Sequence, residues 1–463
     1  MNQNMDTALG ALVKVLTPDH EEWEERRSRW NHFSNETETR LIAVPSNVDD
    51  VVQIVNWARE NAQTDIGVRA GGHGFFSTAA VVVDMRDGFG YSSLDQETGI
   101  ATIGMGQTLK AVDDATHPWH VPMGVVSHTG TGLLLTGGVG YLCKAHGASS
   151  DSIREVTIVT SDGTVHVCSA EQEPDLFFAV RGAAPNLGIV TEVKAQAYQH
   201  PDALCTLRAW PLTEENMNRL FDWADQPVVL DDPNITPYIA LMPSPDLQGH
   251  LAALHLVYVG PPEDDERVSA LIAQLDDTGD TVLLPTSRVP WESPQTIFDD
   301  AFPSQYWYVG QTYYPGDVSI PAVSLDDARE AYGELSLGPV VPMLVYEQRG
   351  SESSRYHQFA ADHCAQPRFD QRWECYVFAG CADEGSAEDA RRVGRDLKSA
   401  LLKSGDAAAG GRVHFTTDEP SRIEFYYGPN SERVREIVAR YDPHHLFASC
   451  NGMSFSGPPQ NSR

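Results

Sequence analysis

The chain has 463 residues, 41% of them hydrophobic, with 37 glycines and 29 prolines, enough for two loop-rich globular domains. Asp plus Glu number 65 against 33 Lys plus Arg, a formal net charge of -32, so the chain offers neither the cationic footprint that nucleic acid requires nor attraction to an anionic membrane. No apolar run nears the roughly 20 residues of a bilayer span, no basic segment leads into an apolar one at the N-terminus, and seven scattered cysteines make no disulfide framework, so the expectation is a cytoplasmic protein with no nucleic-acid or membrane partner.

Residues 41–45 (LIAVP) read as a strand, and Ser46 as the cap of a helix whose Val48, Val51, Val52, Val55 and Ala58 follow helical spacing. Segment 66–76 (IGVRAGGHGFF) is a strand running into glycines, and 79–85 (AAVVVDM) is a second, β-branched strand. The pattern continues through IATIGMGQTL and a helix from Leu109 to the glycine-rich stretch 121–147. A hairpin follows over 155–170, turning at Asp162-Gly163. Segment 171–191 is a short helix, a glycine turn and a strand. Near His200-Pro201 the texture changes. To about 415, longer helical patterns mix with aromatic-rich strands at 305–314, 343–348 and 372–380, which predicts a second domain of antiparallel sheet plus helices. The segment from Glu424 reads as a strand, a helix and a Gly/Ser/Pro tail.

Two glycine clusters carry the first chemical signal. Gly71, Gly72 and Gly74 follow a strand, and Gly130, Gly132, Gly137, Gly138 and Gly140 crowd a second loop. Glycine lets backbone N–H groups approach a ligand closely, and a nest of such donors suits a diphosphate. Neither a G-K-[ST] loop nor a clean G-x-G-x-x-G is present, so a phosphate-bearing cofactor is expected, but not on the usual dinucleotide fold. His73, flanked by glycines, projects its imidazole at whatever the first loop cradles. No H-E-x-x-H, C-x-x-C or clustered ligand spacing occurs, so no metal is expected, and His444 and His445 read as turn residues at the surface.

The run Arg69-Ala70-Gly71-Gly72-His73-Gly74 resembles the cofactor-attachment loop of the berberine-bridge-enzyme-like FAD-linked oxidases, in the wider vanillyl-alcohol-oxidase superfamily with its PCMH-type FAD-binding domain. The resemblance extends over most of the chain. Residues 45–52 with Asn56-Trp57-Ala58 look like the family's first helix. Residues 130–142 look like its second flavin loop, with Thr136 in place of the first glycine of the usual triple. Residues 175–182 and Asn186 to Thr191 are similar to its most recognisable stretch. Tyr426-Tyr427-Gly428-Pro429-Asn430 with Arg433, then 441–447, resemble its C-terminal signature.

The resemblance implies an α+β, two-domain fold: a PCMH-type FAD-binding domain over 1–200 completed by 416–463, and a substrate-binding domain over 201–415 built on an antiparallel sheet. FAD would lie on Arg69, Ala70, Gly71, Gly72 and Gly74, on Ser127, Thr129, Gly130, Gly132, Thr136, Gly137, Gly138 and Gly140, and on Gly188, Ile189, Val190 and Asn430. His73 would bond to the flavin 8-methyl carbon, and it would do so alone, because Val126 stands where some relatives place a second, cysteinyl link. Cys143 reads as packing. Phe75 replaces a tyrosine found in several relatives, and Ser127-His128-Thr129 is a polar version of a segment that influences oxygen access. The implied base is a tyrosine or carboxylate: Tyr426 or Tyr427 near the C-terminal strand, or Tyr346, Glu347, Glu374 or Tyr376 on the substrate sheet. Strand alternation sets Tyr346 and Glu347 on opposite faces, Glu374 and Tyr376 on one face, and allows only one of Tyr426 and Tyr427 to face the flavin. Tyr306-Trp307-Tyr308 could line a pocket.

The expected activity is that of an FAD-dependent oxidase, monomeric or homodimeric. It would oxidise an alcohol, amine or activated C–H of a small, metabolite- or sugar-like substrate by hydride transfer to flavin N5, with O2 consumed and H2O2 released. A dehydrogenase with another acceptor, an oxidative cyclase of secondary metabolism, and a flavin-free scaffold are the alternatives.

Overall fold

Leu41–Val44, Val81–Asp84 and Ile66–Arg69 are aliphatic runs buried almost throughout, the pattern of parallel strands covered on both faces. They pair in parallel in that spatial order, with Lys14–Leu16 adding antiparallel at the edge. A computed structural model describes residues 7–35, 38–62, 66–74, 79–244, 249–276, 281–314, 338–368, 372–402, 408–409 and 423–447. Phe75 lies outside the described residues. The helix after the first long strand is Val48–Glu60. Its cap is Asn47, whose side chain accepts from the Asp50 amide, while the Ser46 amide donates to the Asp50 carboxylate. The cap therefore falls one residue beyond Ser46.

A second sheet is antiparallel, in the order Ser92–Asp95, Ile100–Gly104, Gly188–Gln196, Ile153–Thr160, Val165–Ser169. The expected hairpin is its outer pair, and Gly163 takes φ +81° at the turn. The helix Pro174–Ala183 packs its Leu176, Phe177 and Val180 into the core beneath this sheet.

Among the described residues the third sheet has eight strands, all antiparallel: Thr281–Pro290, Asp202–Pro211, His250–Tyr258, Ile235–Pro243, Val340–Gln348, Trp373–Cys381, Trp307–Tyr314 and Ala408–Ala409. The helices Glu214–Ala224, Asp265–Ala273 and Ala387–Leu402 cover one face, burying Trp210, Phe221, Ile239, Leu254 and Val377. Tyr346 belongs to this covered face, its ring 5.2 Å from that of Phe221. Register sets Tyr238, His255, Glu347, Glu374, Tyr376 and Tyr308 on the opposite face, which meets the glycine-rich loops.

The C-terminal segment corrects one expectation. Ile423–Tyr427 is a helical turn, continuous through Gly428–Asn430 with the helix Ser431–Tyr441. Ile423, Tyr426 and Tyr427 pack into the same core as Phe177 and Val180, and Leu446 and Phe447 enter the core of the parallel sheet. Tertiary packing overrides the strand preference of two adjacent tyrosines. Among the described residues, no helix is long and apolar enough to cross a membrane.

Candidate cofactor and catalytic site

The two glycine clusters meet backbone to backbone. A Cβ on Gly71 would lie 2.5 Å from the Gly130 nitrogen, so neither loop admits a side chain at the crossing. Gly72 takes φ +79° and turns the first loop beside the Arg69 guanidinium. Arg69 is buried, bonds the carbonyls of Glu25 and Arg26, and keeps Nε without a partner among the described residues. Burial and the nearby Arg86 hold it down at about 10. Arg29, also buried, is held at about 9 by burial and by Arg69. In both cases burial is the main cause, because it penalises the charged form, and Asp84 opposes it.

His73 leaves this loop half-buried. Its Nε2 is 2.7 Å from Nδ1 of His128, and its ring stacks on Trp30 with centroids 4.4 Å apart and planes 13° apart. Trp30 in turn stacks on Tyr308 of the large sheet, 4.3 Å away and 3° from parallel. Burial and His128 push the His73 imidazole well below the usual histidine range, so it is neutral.

In the second loop, the Ser127 amide and hydroxyl donate to Asp299 at 3.0 and 2.6 Å, and Thr129 offers its carbonyl to the Leu109 amide. Thr131–Thr136 is a 3-10 helix that ends in Gly137 at φ +77°, where a Cβ would strike the Gln366 side chain. Gly138 and Gly140 are equally crowded, by Leu133 and by the Met123 carbonyl. Gly132 is exposed, with open space where a Cβ would go, so its glycine answers no close approach among the described residues. Tyr141, Cys143 and Lys144 then fasten the loop to the large sheet. Tyr141 meets Tyr238 and His255 edge-on, Cys143 packs with Val139, Tyr356 and Tyr376, and Lys144 donates to Gln348 and to the Val229 carbonyl.

Ile189 and Val190 bury their side chains in the two cores on either side of their strand. Ile153–Thr160 pairs with Gly188 to Val190, but Ile100–Gly104 pairs only from Glu192 onward, so one backbone edge of 188–190 has no strand partner among the described residues. Asn430 donates from its side chain to the carbonyls of Ala361 and Cys364 and braces that loop. The loop itself carried no sequence signal. It brings Gln366 against Gly137 and Gly182, and both polar atoms of its buried amide are without partners among the described residues.

On the sheet face, Arg349 lies between Glu347 and Glu374, 2.5 Å from each carboxylate, and donates to the Tyr376 hydroxyl at 2.8 Å. Tyr238 donates to Glu347 at 2.6 Å. Glu374 is 0% exposed and Arg349 2%, whereas Tyr376 reaches 9%, so the tyrosine is the network's outermost member beside the loop residues Val139 and Cys143. Arg349 was invisible to motif reading, although its place two residues beyond Glu347 put it on the same face. Tyr426 and Tyr427 lie elsewhere, in the core under the second sheet, where Asn186 donates to the Tyr427 hydroxyl at 3.2 Å and burial drives that phenol far up. On a helix the alternation argument for this pair does not apply.

These features fit an extended dinucleotide. Gly71 and Gly130 permit close backbone approach. Arg69 Nε, the Gln366 amide and Thr131 Oγ1 are buried polar atoms without a partner among the described residues, and the edge at 188–190 offers further backbone groups. Among the described residues no cluster of His, Cys, Asp or Glu could hold a metal.

Residues 39–169 match the family model described as FAD binding domain. An FAD-linked oxidoreductase of Dictyostelium discoideum is 25% identical over 451 residues, covering 94% of this chain and 92% of the relative. The (R)-6-hydroxynicotine oxidase of Paenarthrobacter nicotinovorans is 33% identical over 214 residues, 43% of this chain and 45% of the relative. Among solved structures, a berberine-bridge-enzyme-like protein of Physcomitrella patens superposes with a TM-score of 0.85 at 18% identity, over 98% of this chain and 100% of that one. A chitooligosaccharide oxidase gives 0.82 at 18% identity, over 97% and 99%. The chain is thus an FAD-linked oxidoreductase with an FAD binding domain over 39–169, and it has the PCMH-type fold shared by the berberine-bridge-enzyme-like structure.

Proposed function

We propose that this chain oxidises an alcohol, amine or activated C–H group of a small metabolite- or sugar-like substrate and passes the electrons to dioxygen, releasing hydrogen peroxide. The bound FAD supplies the hydride acceptor at N5. The protein supplies binding, orientation and a base. The observation that carries the reading is Tyr376, held by Arg349 at 2.8 Å on the one sheet face that meets the second glycine loop. Tyr376 takes the substrate proton, and the guanidinium stabilises the negative charge on the phenol oxygen while that proton is absent. Glu347 and Glu374 act through Arg349 and fix its orientation. Val139, Cys143 and Tyr356 pack around the Tyr376 ring and keep water from its inner side. The names of two relatives, a hydroxynicotine oxidase and a chitooligosaccharide oxidase, support a small amine or sugar as substrate.

The cofactor is held through one covalent bond, at His73. Val126 cannot supply a thiolate, and Cys143 is buried in an apolar cluster. The cofactor domain runs over 1–200 with 416–463, and the substrate domain over 201–415. Supporting this division, the eight-stranded sheet begins at Asp202, and the helices from Ile423 to Tyr441 pack into the core of the second sheet.

The test is flavin fluorescence of the acid-denatured protein on a gel, with His73→Ala beside it, followed by peroxide release over a panel of amines and sugars. A band that disappears in the variant, with peroxide formed on one substrate, is the expected result. A dark denatured band from yellow native protein removes the covalent link. Flavin reduction without peroxide points to another electron acceptor.

A further inference from the structure

We propose that His128 is a positioning residue for covalent attachment of the flavin, orienting His73 and accepting its proton as the bond forms. The inference rests on the reading of His73 as the attachment residue. Trp30, itself stacked on Tyr308, fixes the plane of the His73 ring. His128 Nδ1 then engages the Nε2 atom of His73 at 2.7 Å, and His73 Nδ1 makes no hydrogen bond among the described residues. Among the described residues this leaves Nδ1 as the ring nitrogen open to a partner outside the protein.

The pairing allows two donor–acceptor arrangements, and we assign the one in which His73 Nε2–H donates to His128 Nδ1. A His73 that donates from Nε2–H to His128 Nδ1 carries its lone pair on Nδ1, the form that can attack an electrophilic carbon. Burial keeps His73 neutral, so this lone pair is not lost to a proton. On the far side, His128 Nε2 lies 4.0 Å from Asp299, a carboxylate tied to the same loop by the Ser127 amide and hydroxyl. Asp299 is thereby the carboxylate that His128 Nε2 faces.

The step balances as follows. His73 Nδ1 forms a bond to the 8-methyl carbon, which gives up one proton. The His73 Nε2 proton passes to His128, and two electrons and the two protons leave with dioxygen as hydrogen peroxide. One C–H bond and one N–H bond break, one C–N bond forms, and dioxygen is the two-electron oxidant.

The experiment follows attachment rather than turnover. Wild type, His128→Ala and His128→Asn are prepared from riboflavin-limited cells and given FAD. Total flavin is read by absorbance, and covalent flavin by fluorescence after acid denaturation. His128→Asn keeps a hydrogen-bonding group near the Nδ1 position but no base. Both variants should bind FAD and attach it at least about tenfold more slowly, the lower end of the loss seen when a metal-bound histidine loses its outer partner. Added imidazole should restore part of the rate in His128→Ala, which a purely structural role would not produce. Attachment at the wild-type rate in either variant overturns the proposal. If both variants fail to hold FAD, Asp299→Asn decides, since it leaves both histidines in place: slowed attachment supports the relay, and an unchanged rate overturns it. Wild type without covalent flavin would overturn the attachment reading itself, which is a different result from a loaded wild type with equally fast variants.

Discussion

Arg349 donates to the Tyr376 hydroxyl at 2.8 Å while its guanidinium is shared between Glu347 and Glu374 on the same sheet face. The phenol is thus coupled to a cation whose own position is set by two buried carboxylates. Tyr376→Phe removes the proposed base and leaves Arg349 with both glutamates. Flavin reduction by substrate should slow by about 10²- to 10⁴-fold, with flavin content unchanged and stability within roughly 0.5–1.5 kcal/mol of wild type. Stopped-flow reduction and urea unfolding measure the two effects separately.

Arg349→Met should behave differently. It leaves two buried carboxylates without their cation, a loss of about 3–5 kcal/mol. Denaturant titration should show that loss, and Glu347→Gln in the same background should recover part of it by removing one of the uncompensated charges.

At the loop crossing, Gly71→Ala or Gly130→Ala drives a methyl group into backbone that cannot rotate away. Overpacking of this kind costs about 1–3 kcal/mol, and here it separates the two loops proposed to hold the cofactor. Either variant should be purified with a lower ratio of flavin to protein absorbance. Gly132→Ala, facing open space, should match wild type within roughly 0.5 kcal/mol.

Asn430 serves the fold on this geometry. Asn430→Ala removes two hydrogen bonds to the carbonyls of Ala361 and Cys364. The expected loss is about 1–3 kcal/mol in thermal or chemical unfolding. Attachment of flavin by the protein that remains folded should be unchanged, and a selective loss of flavin would instead place Asn430 at the cofactor.

Histidine burial sets the acid limit of stability. Burial holds His146 at about 3, and His200, His255 and His363 at about 4, against an ordinary value of 6.5. Between about pH 4 and 6.5 the unfolded chain therefore binds protons that the folded chain refuses, so stability falls as pH drops through that window. His255, whose Nδ1 donates to the Thr206 carbonyl, is the simplest case. His255→Gln should flatten the decline in melting temperature between pH 7 and pH 5, and an unchanged slope would remove His255 from the account.

The sequence alone determined the features that depend on local backbone geometry. Glycine spacing marked both loops because positive φ at Gly72 and Gly137 and the Gly71–Gly130 crossing exclude side chains. The two-residue period of a strand separates Tyr346 from Glu347 and joins Glu374 to Tyr376, as the pairing shows. Tertiary structure alone decided which chemistry-bearing groups meet. Arg349 meets both carboxylates because neighbouring strands set Glu347 beside Glu374, and His128 meets His73 where two loops cross next to Trp30. Asp299 reaches Ser127 across 172 residues of chain, and Asn186 reaches Tyr427 across 241. Tyr426 and Tyr427 read as strand by composition and became helix because their rings fill a core assembled from distant segments. Local spacing encodes backbone conformation, whereas the pairing of side chains so far apart in sequence exists only once the sheets and loops have packed.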